Sequence, residues 1–436
     1  MSFRLGIKSR LGQEIVWSFA LKAINTGLMF LTTVFLARLL GVTGYGIYAY
    51  VYSLITLLSL PTHAGLPDLI LRETAKGLAQ ERYDLVRGAW QWAGRVVAIL
   101  SVIVVGVGGP LLIAWQGGLQ ETAGQTMAWA LLLVPLIALG NLRGAALRGL
   151  QRVVLGQLPE SALRPGLFFL FIGSMAILRE EMLSPPIAMM LHVIASFLAF
   201  VIGAWLLWRY TPGTIRCIRP SIDTHGWLLS SLVFALLASF SVVNQQASTV
   251  ILGLFATPGD VGSYRVATQV ATVAAFGLNS INMVTAPRFA DLWVRQEKVR
   301  LQQLVTRSAQ MMLMVSLLVT TAFLLAGQPF FHLVFGPEFD GCYIPLLILL
   351  LGYVVDSALG PAGMLLNMTG HETDTAVIMA WVSVLNIALN VVLIPIMGVA
   401  GAAMAVAVSM ATWKVLFWWR ALKWLKINSS ALFLKL

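Results

Sequence analysis

The chain has 436 residues, of which 58% are hydrophobic and only 11% are charged, and its formal net charge is +11. Soluble domains carry about 25% charged residues, so this composition, with a mean hydropathy of +0.84, excludes a water-soluble globular fold. Two cysteines exclude a disulfide framework, and the positive charge is typical of the Lys and Arg excess in cytoplasmic loops rather than of nucleic-acid binding.

Apolar stretches of about 20 residues recur along the chain, and each is long enough to cross a hydrocarbon core of about 30 Å. After a basic segment at 1–13, which we interpret as a cytoplasmic foot and not as a cleaved signal, the first six predicted spans are Glu14–Ala37, Gly46–Leu66, Ala89–Trp115, Gln125–Asn141, Leu158–Leu178 and Pro186–Trp208. The other six are Leu228–Leu254, Gly262–Pro287, Met311–Phe335, Tyr343–Met368, Ala376–Pro395 and Gly398–Trp419.

This pattern predicts an all-α integral membrane protein with about twelve transmembrane helices. We predict an N-lobe at 14–210, a cytoplasmic linker at 211–226, a C-lobe at 227–420 and a cytoplasmic tail at 421–436.

The basic residues predict the orientation of the chain in the membrane. Alternate segments between the spans, together with both termini, hold 22 of the 29 Lys and Arg residues, with Arg143 counted among them. The opposite side holds Arg38, Arg179 and Arg265. Because cytoplasmic loops are enriched in Lys and Arg, both termini are predicted to be cytoplasmic.

The two halves of the sequence show a weak internal repeat. A shift of 216 residues places Gly46-Ile47-Tyr48 on Gly262-Ser263-Tyr264 and Arg72 on Arg288, with no gap between these points. Transporters are often built from such repeats. We therefore expect two pseudo-symmetric six-helix lobes around a central cavity, with Arg72 and Arg288 at its cytoplasmic entrance.

Motifs for catalysis or cofactor binding are absent from the sequence. It contains no GxxxxGK[ST] phosphate loop and no dinucleotide fingerprint. Its five histidines never pair at helical spacing, so we predict no metal site and no cofactor.

Polar residues inside the spans are costly in hydrocarbon and therefore mark candidate functional sites. They form stripes at helical spacing on the first, second, seventh and eighth spans, the equivalent pairs of the two halves, as expected if they line the cavity. Ordinary packing and hydrogen bonding between helices is the alternative. The candidate substrate-binding residues are Lys22, Asn25, Tyr48, Tyr52, Asn244, Arg265, Thr268 and Thr272, with Arg95 and Arg164 in the third and fifth spans.

Asp356 is the only carboxylate well inside a predicted span. Two interpretations are equally supported by the sequence. Asp356 either neutralises a buried Arg or Lys, or it belongs to the ion-coupling or gating machinery.

Several motifs carry a resemblance to a known family. They are Phe35-Leu36-Ala37-Arg38-Leu39-Leu40-Gly41, Gly44-Tyr45-Gly46-Ile47-Tyr48, Gly65-Leu66-Pro67, Arg72-Glu73, Asn386, Asn390, Ile394-Pro395, Gly398 and Gly401-Ala402-Ala403. With the predicted topology, they resemble the polysaccharide transporters, or O-antigen and lipid-linked oligosaccharide flippases, of the multidrug/oligosaccharidyl-lipid/polysaccharide (MOP) exporter superfamily.

The resemblance implies a transporter that moves a polyprenyl-diphosphate-linked oligosaccharide from the cytoplasmic to the periplasmic leaflet of a bacterial inner membrane by alternating access. Other polysaccharide-assembly membrane proteins are further candidate partners, and nucleic acid is not one. On this reading Lys22 and Arg265 hold the diphosphate. The alternatives are an ion-coupled multidrug antiporter of the same superfamily and an integral-membrane glycan polymerase or glycosyltransferase.

Overall fold

The structure is a computed structural model that describes residues 2–63, 65–178 and 183–431, with the backbone alone for residues 2–15, 233, 237 and 274. Arg179 and the end of the predicted tail, residues 432–436, lie outside the described residues. The described part of the chain is helical and contains no strand. The predicted all-α fold class is confirmed.

Ten helices of the described residues are long and apolar enough to cross a membrane, which makes this a multi-pass membrane protein. Two of them, Val16–Leu58 with 43 residues and Glu372–Leu425 with 54, far exceed the roughly 20 residues needed for one crossing. The other eight are Tyr83–Trp115, Thr122–Gly149, Val153–Leu178, Pro185–Tyr210, Thr224–Phe255, Pro258–Val294, Lys298–Val334 and Pro337–Ala358.

Each of the two long helices is interrupted by a glycine. Gly41 has φ 69° and ψ 176°, and Gly398 has φ 57° and ψ −128°, so neither continues a helix. Residues with a Cβ rarely adopt such positive φ values, whereas glycine does so readily. Divided at these glycines, the long helices each supply two apolar segments, so the ten helices are compatible with about twelve predicted crossings.

The chain packs into two compact units, Met1–Leu40 with Ile47–Gln246 and Gly41–Gly46 with Ala247–Leu436. The helices of the first unit begin with α1 at Ser2–Leu58 and end with α12 at Thr224–Phe255, which continues into the second unit. Between them lie α2 at Leu60–His63, α3 at Leu66–Ala79, α4 at Tyr83–Ile103, α5 at Gly109–Trp115, α6 at Thr122–Leu131, α7 at Leu133–Gly149, α8 at Val153–Leu158, α9 at Arg164–Leu178, α10 at Pro185–Tyr210 and α11 at Gly213–Cys217.

The core of the first unit lies where α3 packs on α7, with α4 beside them. Small residues of α4 and α7, such as Ala93 and Ala145, let the helices approach closely, and Ile70 of α3 fills the space between them. Helix α10 packs along α6, α7 and α9. Two π turns, Val104–Gly108 and Pro159–Leu163, join α4 to α5 and α8 to α9.

The helices of the second unit follow α12. They are α13 at Pro258–Val294, α14 at Lys298–Val334, α15 at Tyr343–Ala358, α16 at Ala362–Met368 and α17 at Glu372–Arg420, with a 3-10 turn at Pro337–Cys342 and a π turn at Ala421–Leu425. Helix α15 packs against both α14 and α17. Apolar residues of α13, α14, α16 and α17, among them Phe289, Leu301, Leu365 and Val382, form its core.

The two glycines that the 216-residue shift superimposes meet in the second unit. A Cβ on Gly46 would lie 1.7 Å from the carbonyl oxygen of Pro258, and a Cβ on Gly262 would lie 2.2 Å from that of Val42. A larger residue at either position would push the two backbones apart. Close by, the Val42 amide donates to Oε2 of Glu338 at 3.1 Å.

Candidate functional site

The candidate site of the first unit is built around the π turn Pro159–Leu163. Pro165 follows this turn and has no N–H, so it cannot donate to the carbonyl of Ser161 four residues earlier. The side chain of Asn25, on α1, donates to that carbonyl instead, at 3.0 Å. This bond attaches α1 to the turn, and π turns within helices are frequent at functional sites.

A carboxylate on this turn lies between two arginines. Oε1 of Glu160 accepts from Arg143, on α7, at 2.9 Å, and Oε2 lies 3.3 Å from Arg164, on α9. Arg143 is only 5% exposed and also donates to the carbonyls of Ala199 and Phe200, at 3.1 and 2.9 Å. Two cations therefore share one anion, and the three side chains carry a net charge of +1.

The burial of Arg143 depends on a glycine of α10. A Cβ on Gly203 would lie only 1.9 Å from Nη1 of Arg143. Any side chain at this position would displace the guanidinium from the carbonyls of α10. Gly203 therefore provides the space in which Arg143 can hold Glu160.

Four aromatic rings continue the site from α1 to α10. The Tyr48 hydroxyl hydrogen-bonds with Nδ1 of His192 at 2.8 Å, and the rings of Tyr48 and Tyr52 are parallel, with centroids 6.3 Å apart. His192 stacks on Phe168 at 4.5 Å. Because Arg164 lies near both tyrosines and His192, the rings and the charges form one site. We call Tyr48, Tyr52, Arg143, Glu160, Arg164 and His192 the arginine–tyrosine cluster.

This cluster offers one chemistry above others. Guanidinium groups bind phosphate oxygens with paired N–H donors. Phenol and imidazole groups can donate a hydrogen bond to a hydroxyl and can also accept one from it. Among the described residues, no His, Cys, Asp and Glu side chains form a group of three that could hold a metal ion. The cluster is therefore suited to binding a polar anion.

Other predicted residues of the first unit lie apart from these contacts. The side chains of Lys22, on α1, and Arg95, on α4, are exposed, and neither forms an ion pair with another residue of the described part. Asn244 donates to the carbonyl four residues earlier in α12, at 2.9 Å. Arg72 pairs with the adjacent Glu73 at 2.9 Å. Roles for these residues in binding or entry stay predictions.

In the second unit, the predicted polar stripe is partly satisfied within its own helix. The hydroxyl of Thr268 donates to the carbonyl of Arg265 at 2.9 Å, and that of Thr272 donates to the carbonyl of Thr268 at 2.8 Å. Such bonds are the usual local alternative to a partner elsewhere. Arg265 is half-buried and Arg288 is exposed, and their assignment to substrate binding and entry stays a prediction.

Asp356 has a cationic partner. Its Oδ1 lies 3.2 Å from Nζ of Lys414, on α17, and both residues are about nine-tenths buried. Lys414 also donates to the carbonyl of Gly360 at 3.1 Å. The structure identifies Lys414 as the buried cation that pairs with Asp356. A role of Asp356 in ion coupling or gating stays a prediction.

The sequence interpretation missed three residues of the cluster. Arg143 was counted as a loop cation, which is wrong, because α7 continues past the predicted end of the fourth span and buries this side chain. Glu160 lies near the start of the predicted span Leu158–Leu178, and its spacing of four from Arg164 is the signal that indicates an ion pair. No local pattern links His192 to Tyr48, since 144 residues separate them.

The sequence matches the family of polysaccharide biosynthesis proteins over residues 11–293. It is also 23% identical over 418 residues to the probable low-salt glycan biosynthesis flippase Agl15 of Haloferax volcanii, an alignment that covers 93% of this chain and 82% of the relative.

Two solved structures share the fold. One is the inward-facing conformation of a multidrug resistance MATE family transporter of the MOP superfamily, with a TM-score of 0.74, 13% identity and coverage of 92% of this chain and 94% of that one. The other is the lipid II flippase MurJ in an inward closed conformation, with a TM-score of 0.74, 11% identity and coverage of 93% and 87%. The two likenesses are equal in strength, so the fold alone does not separate an exporter of drugs from a flippase of lipids.

Proposed function

Because the chain belongs to the family of polysaccharide biosynthesis proteins, as its sequence motifs predicted, we propose that it is a flippase for a polyprenyl-diphosphate-linked oligosaccharide. It moves this lipid from the cytoplasmic to the periplasmic leaflet of a bacterial inner membrane, by alternating access, for O-antigen or another surface polysaccharide. The chain is a transporter and not an enzyme, so no bond of the substrate is made or broken.

The net positive charge of the arginine–tyrosine cluster is the observation that carries this proposal. A diphosphate that leaves water pays a large desolvation cost unless cations replace the lost hydration. Arg143 is held by Glu160 and by backbone carbonyls, and its side chain is only 4% exposed. The side chain of Arg164 is 23% exposed and is bound only on one side, by Glu160. Arg164 is therefore the guanidinium that receives the diphosphate.

The neighbouring groups suit the sugar. Tyr52 is half-buried and, like Tyr48, supplies a neutral hydroxyl that can donate and accept. Lys22 adds a cation to α1, the helix that Asn25 attaches to the π turn. Because an exposed ammonium in mid-span is expensive against lipid, we expect the Lys22 face of α1 to contact water and not acyl chains.

Charge separates this proposal from a multidrug antiporter. A site for organic cations needs a negative or neutral lining. In this cluster Arg143 neutralises the charge of Glu160, and the positive charge of Arg164 remains in excess. The buried carboxylate of the second unit, Asp356, is likewise paired with a lysine. The charges of the first unit thus favour an anionic substrate, and the Asp356–Lys414 pair of the second unit is neutral.

Reconstituted transport tests the proposal. Purified protein in proteoliposomes should move a fluorescent polyprenyl-diphosphate oligosaccharide to the opposite leaflet, and the free polyprenyl diphosphate should compete with it. A polyprenyl lipid in which a neutral linkage replaces the diphosphate is the matched control and should neither move nor compete. Transport of an organic cation such as ethidium, without movement of the sugar lipid, would refute the proposal in favour of an antiporter.

A further inference from the structure

A groove in the first unit shares only one residue, Arg143, with the arginine–tyrosine cluster. It lies between α3, α4, α7 and α10 and has a volume of about 380 Å³. Its walls are mostly carbon, supplied by Ile70, Leu139, Leu142, Phe200, Ala204 and Leu207. We call it the α7–α10 groove.

The groove runs lengthwise along α10. Its inner end is at Phe200, where Arg143 contacts the α10 carbonyls, and its outer end is at Trp208, where Arg216 contacts the backbone. These two positions of α10 are eight residues, or about 12 Å, apart. The side chain of Arg143 faces Glu160 and the carbonyls, so it leaves the inner part of the groove apolar. An elongated apolar groove of this kind fits a hydrocarbon chain.

The outer end of the groove carries arginine and tryptophan side chains. The guanidinium of Arg216 lies over the ring of Trp208 at 4.9 Å, and Trp90 lines the same end. Arg152 lies over the ring of Tyr210, two residues further along, at 5.3 Å. Tryptophan and tyrosine favour the level of the lipid headgroups, so we expect these arginines to lie at that level as well.

Two carboxylates of the neighbouring segments have partners of their own. Asp84 pairs with Arg82 at 3.0 Å, and Asp223 accepts a hydrogen bond from the amide of Gly226 at 3.1 Å. The guanidinium of Arg216 forms no ion pair with a described residue, and its Nη2 group donates to the carbonyl of Trp208. The outer end therefore has a positive charge that no carboxylate of the described chain offsets.

We propose that the α7–α10 groove binds an anionic phospholipid of the leaflet that is predicted to be cytoplasmic. One acyl chain lies against Leu142, Phe200 and Ala204, and the phosphate is bound by Arg216 beside Trp208. Basic pockets between transmembrane helices on this side of the membrane bind anionic headgroups in this manner. The inference does not depend on which substrate the protein transports.

Lipid binding to the purified full-length protein tests the assignment. Phosphatidylglycerol and phosphatidylethanolamine with identical acyl chains are titrated in detergent, and native mass spectrometry counts the bound lipids while the thermal midpoint is recorded. One phosphatidylglycerol molecule should bind per protein at the tightest site and raise the thermal midpoint. Phosphatidylethanolamine should bind at that site with an affinity at least about tenfold lower. Equal binding of the two lipids would overturn the proposal.

Two variants and their controls locate the site. Ala204→Phe fills the groove and should abolish the tight site, whereas Val201→Phe, on an exposed face of the same helix, should not. Arg216→Gln should weaken phosphatidylglycerol binding by about tenfold, as expected for loss of one charge-assisted contact, whereas Arg219→Gln should have little effect. Arg216 is exposed, so its substitution leaves the core intact even if Ala204→Phe does not fold.

Two further outcomes of these binding experiments would contradict the proposed phospholipid site. If both groove variants bind phosphatidylglycerol as the wild type does, the groove is not its site. If polyprenyl phosphate displaces phosphatidylglycerol from the tight site one for one and with higher affinity, the groove holds the isoprenoid tail, and the assignment to a phospholipid is wrong.

Discussion

Replacement of Arg164 should separate binding from folding. In Arg164→Gln the carboxylate of Glu160 keeps its bond to Arg143 at 2.9 Å, so no buried charge loses its last partner. The net charge of the arginine–tyrosine cluster falls from +1 to zero. Loss of one charge-assisted contact to the diphosphate costs about 1.5–3 kcal/mol, and each 1.4 kcal/mol is a factor of about ten in affinity. We expect the lipid-linked substrate to bind about ten to a hundred times more weakly, with normal protein abundance.

Replacement of Arg143 is the informative contrast. Arg143→Gln removes the better-buried partner of Glu160 and the side-chain bonds to the carbonyls of Ala199 and Phe200. Glu160 keeps Arg164 as a partner at 3.3 Å, so the cost should lie below that of a fully stranded buried charge, about 3–5 kcal/mol, but it is still a substantial part of a typical folding free energy of about 5–15 kcal/mol. This variant should therefore be scarce in the membrane and should unfold at a lower temperature in detergent.

The assay combines competition binding of the sugar lipid to purified protein, flipping in proteoliposomes, and the thermal midpoint of each variant. Arg164→Lys keeps the charge but loses the forked donor geometry, so it should fall between the wild type and Arg164→Gln. Arg300→Gln, at an exposed pair with Glu297, is the control for loss of a cation and should behave as the wild type. Wild-type affinity in Arg164→Gln, or equal stability of the Arg143 and Arg164 variants, would refute the division of roles.

Three further predictions concern topology, the remaining cations and the second unit. Cys217 is exposed and predicted to be cytoplasmic, so an impermeant maleimide should label it only after spheroplasts are lysed, and labelling of intact spheroplasts would refute the orientation. Lys22→Ala should strongly reduce transport at normal abundance, and Arg265→Lys should impair it although the charge is kept; wild-type glycan export by the Lys22→Ala, Arg265→Ala double variant would contradict both assignments. Asp356→Asn should lower the thermal midpoint because it strands Lys414, and adding Lys414→Met should restore it; if transport by the restored protein then keeps its dependence on every ion gradient tested, Asp356 is structural.

The positions of the apolar segments could be predicted from the sequence, but the way in which they are joined could not. The first and second spans were separated at residues 37–46, and the eleventh and twelfth at 395–398. The structure keeps the helix on both sides of these breaks and turns it at a single residue, Gly41 or Gly398. Hydropathy indicates how long each apolar segment is relative to the hydrocarbon core of the membrane. The break in each long helix depends instead on the dihedral angles of one residue, which only glycine adopts without strain.

The polar residues of the spans differ in how much their positions in the sequence reveal, and the reason is physical. A threonine hydroxyl can bond to a carbonyl of its own helix, as Thr268 and Thr272 do, so a stripe of hydroxyls need not face any partner or ligand. A charged group cannot be satisfied by a carbonyl of its own helix in this way. It needs either contact with water or an opposite charge that offsets the cost of its desolvation. The spacing of residues along one helix cannot reveal that partner when it lies on another helix.

For this reason a charged residue inside a span is a better indicator of function than a neutral polar one. Whether an opposite charge pairs with it decides whether its role is interpreted as structural or functional. Asp356 and Lys414 neutralise each other, and Arg143 neutralises Glu160, so these four side chains explain their own burial. Arg164 shares its carboxylate with a better-buried arginine. Its charge is therefore only partly offset within the described residues and requires either water or an anion. Since a flippase must replace the water around a diphosphate as the lipid crosses the membrane, an arginine in this position is what such a protein requires.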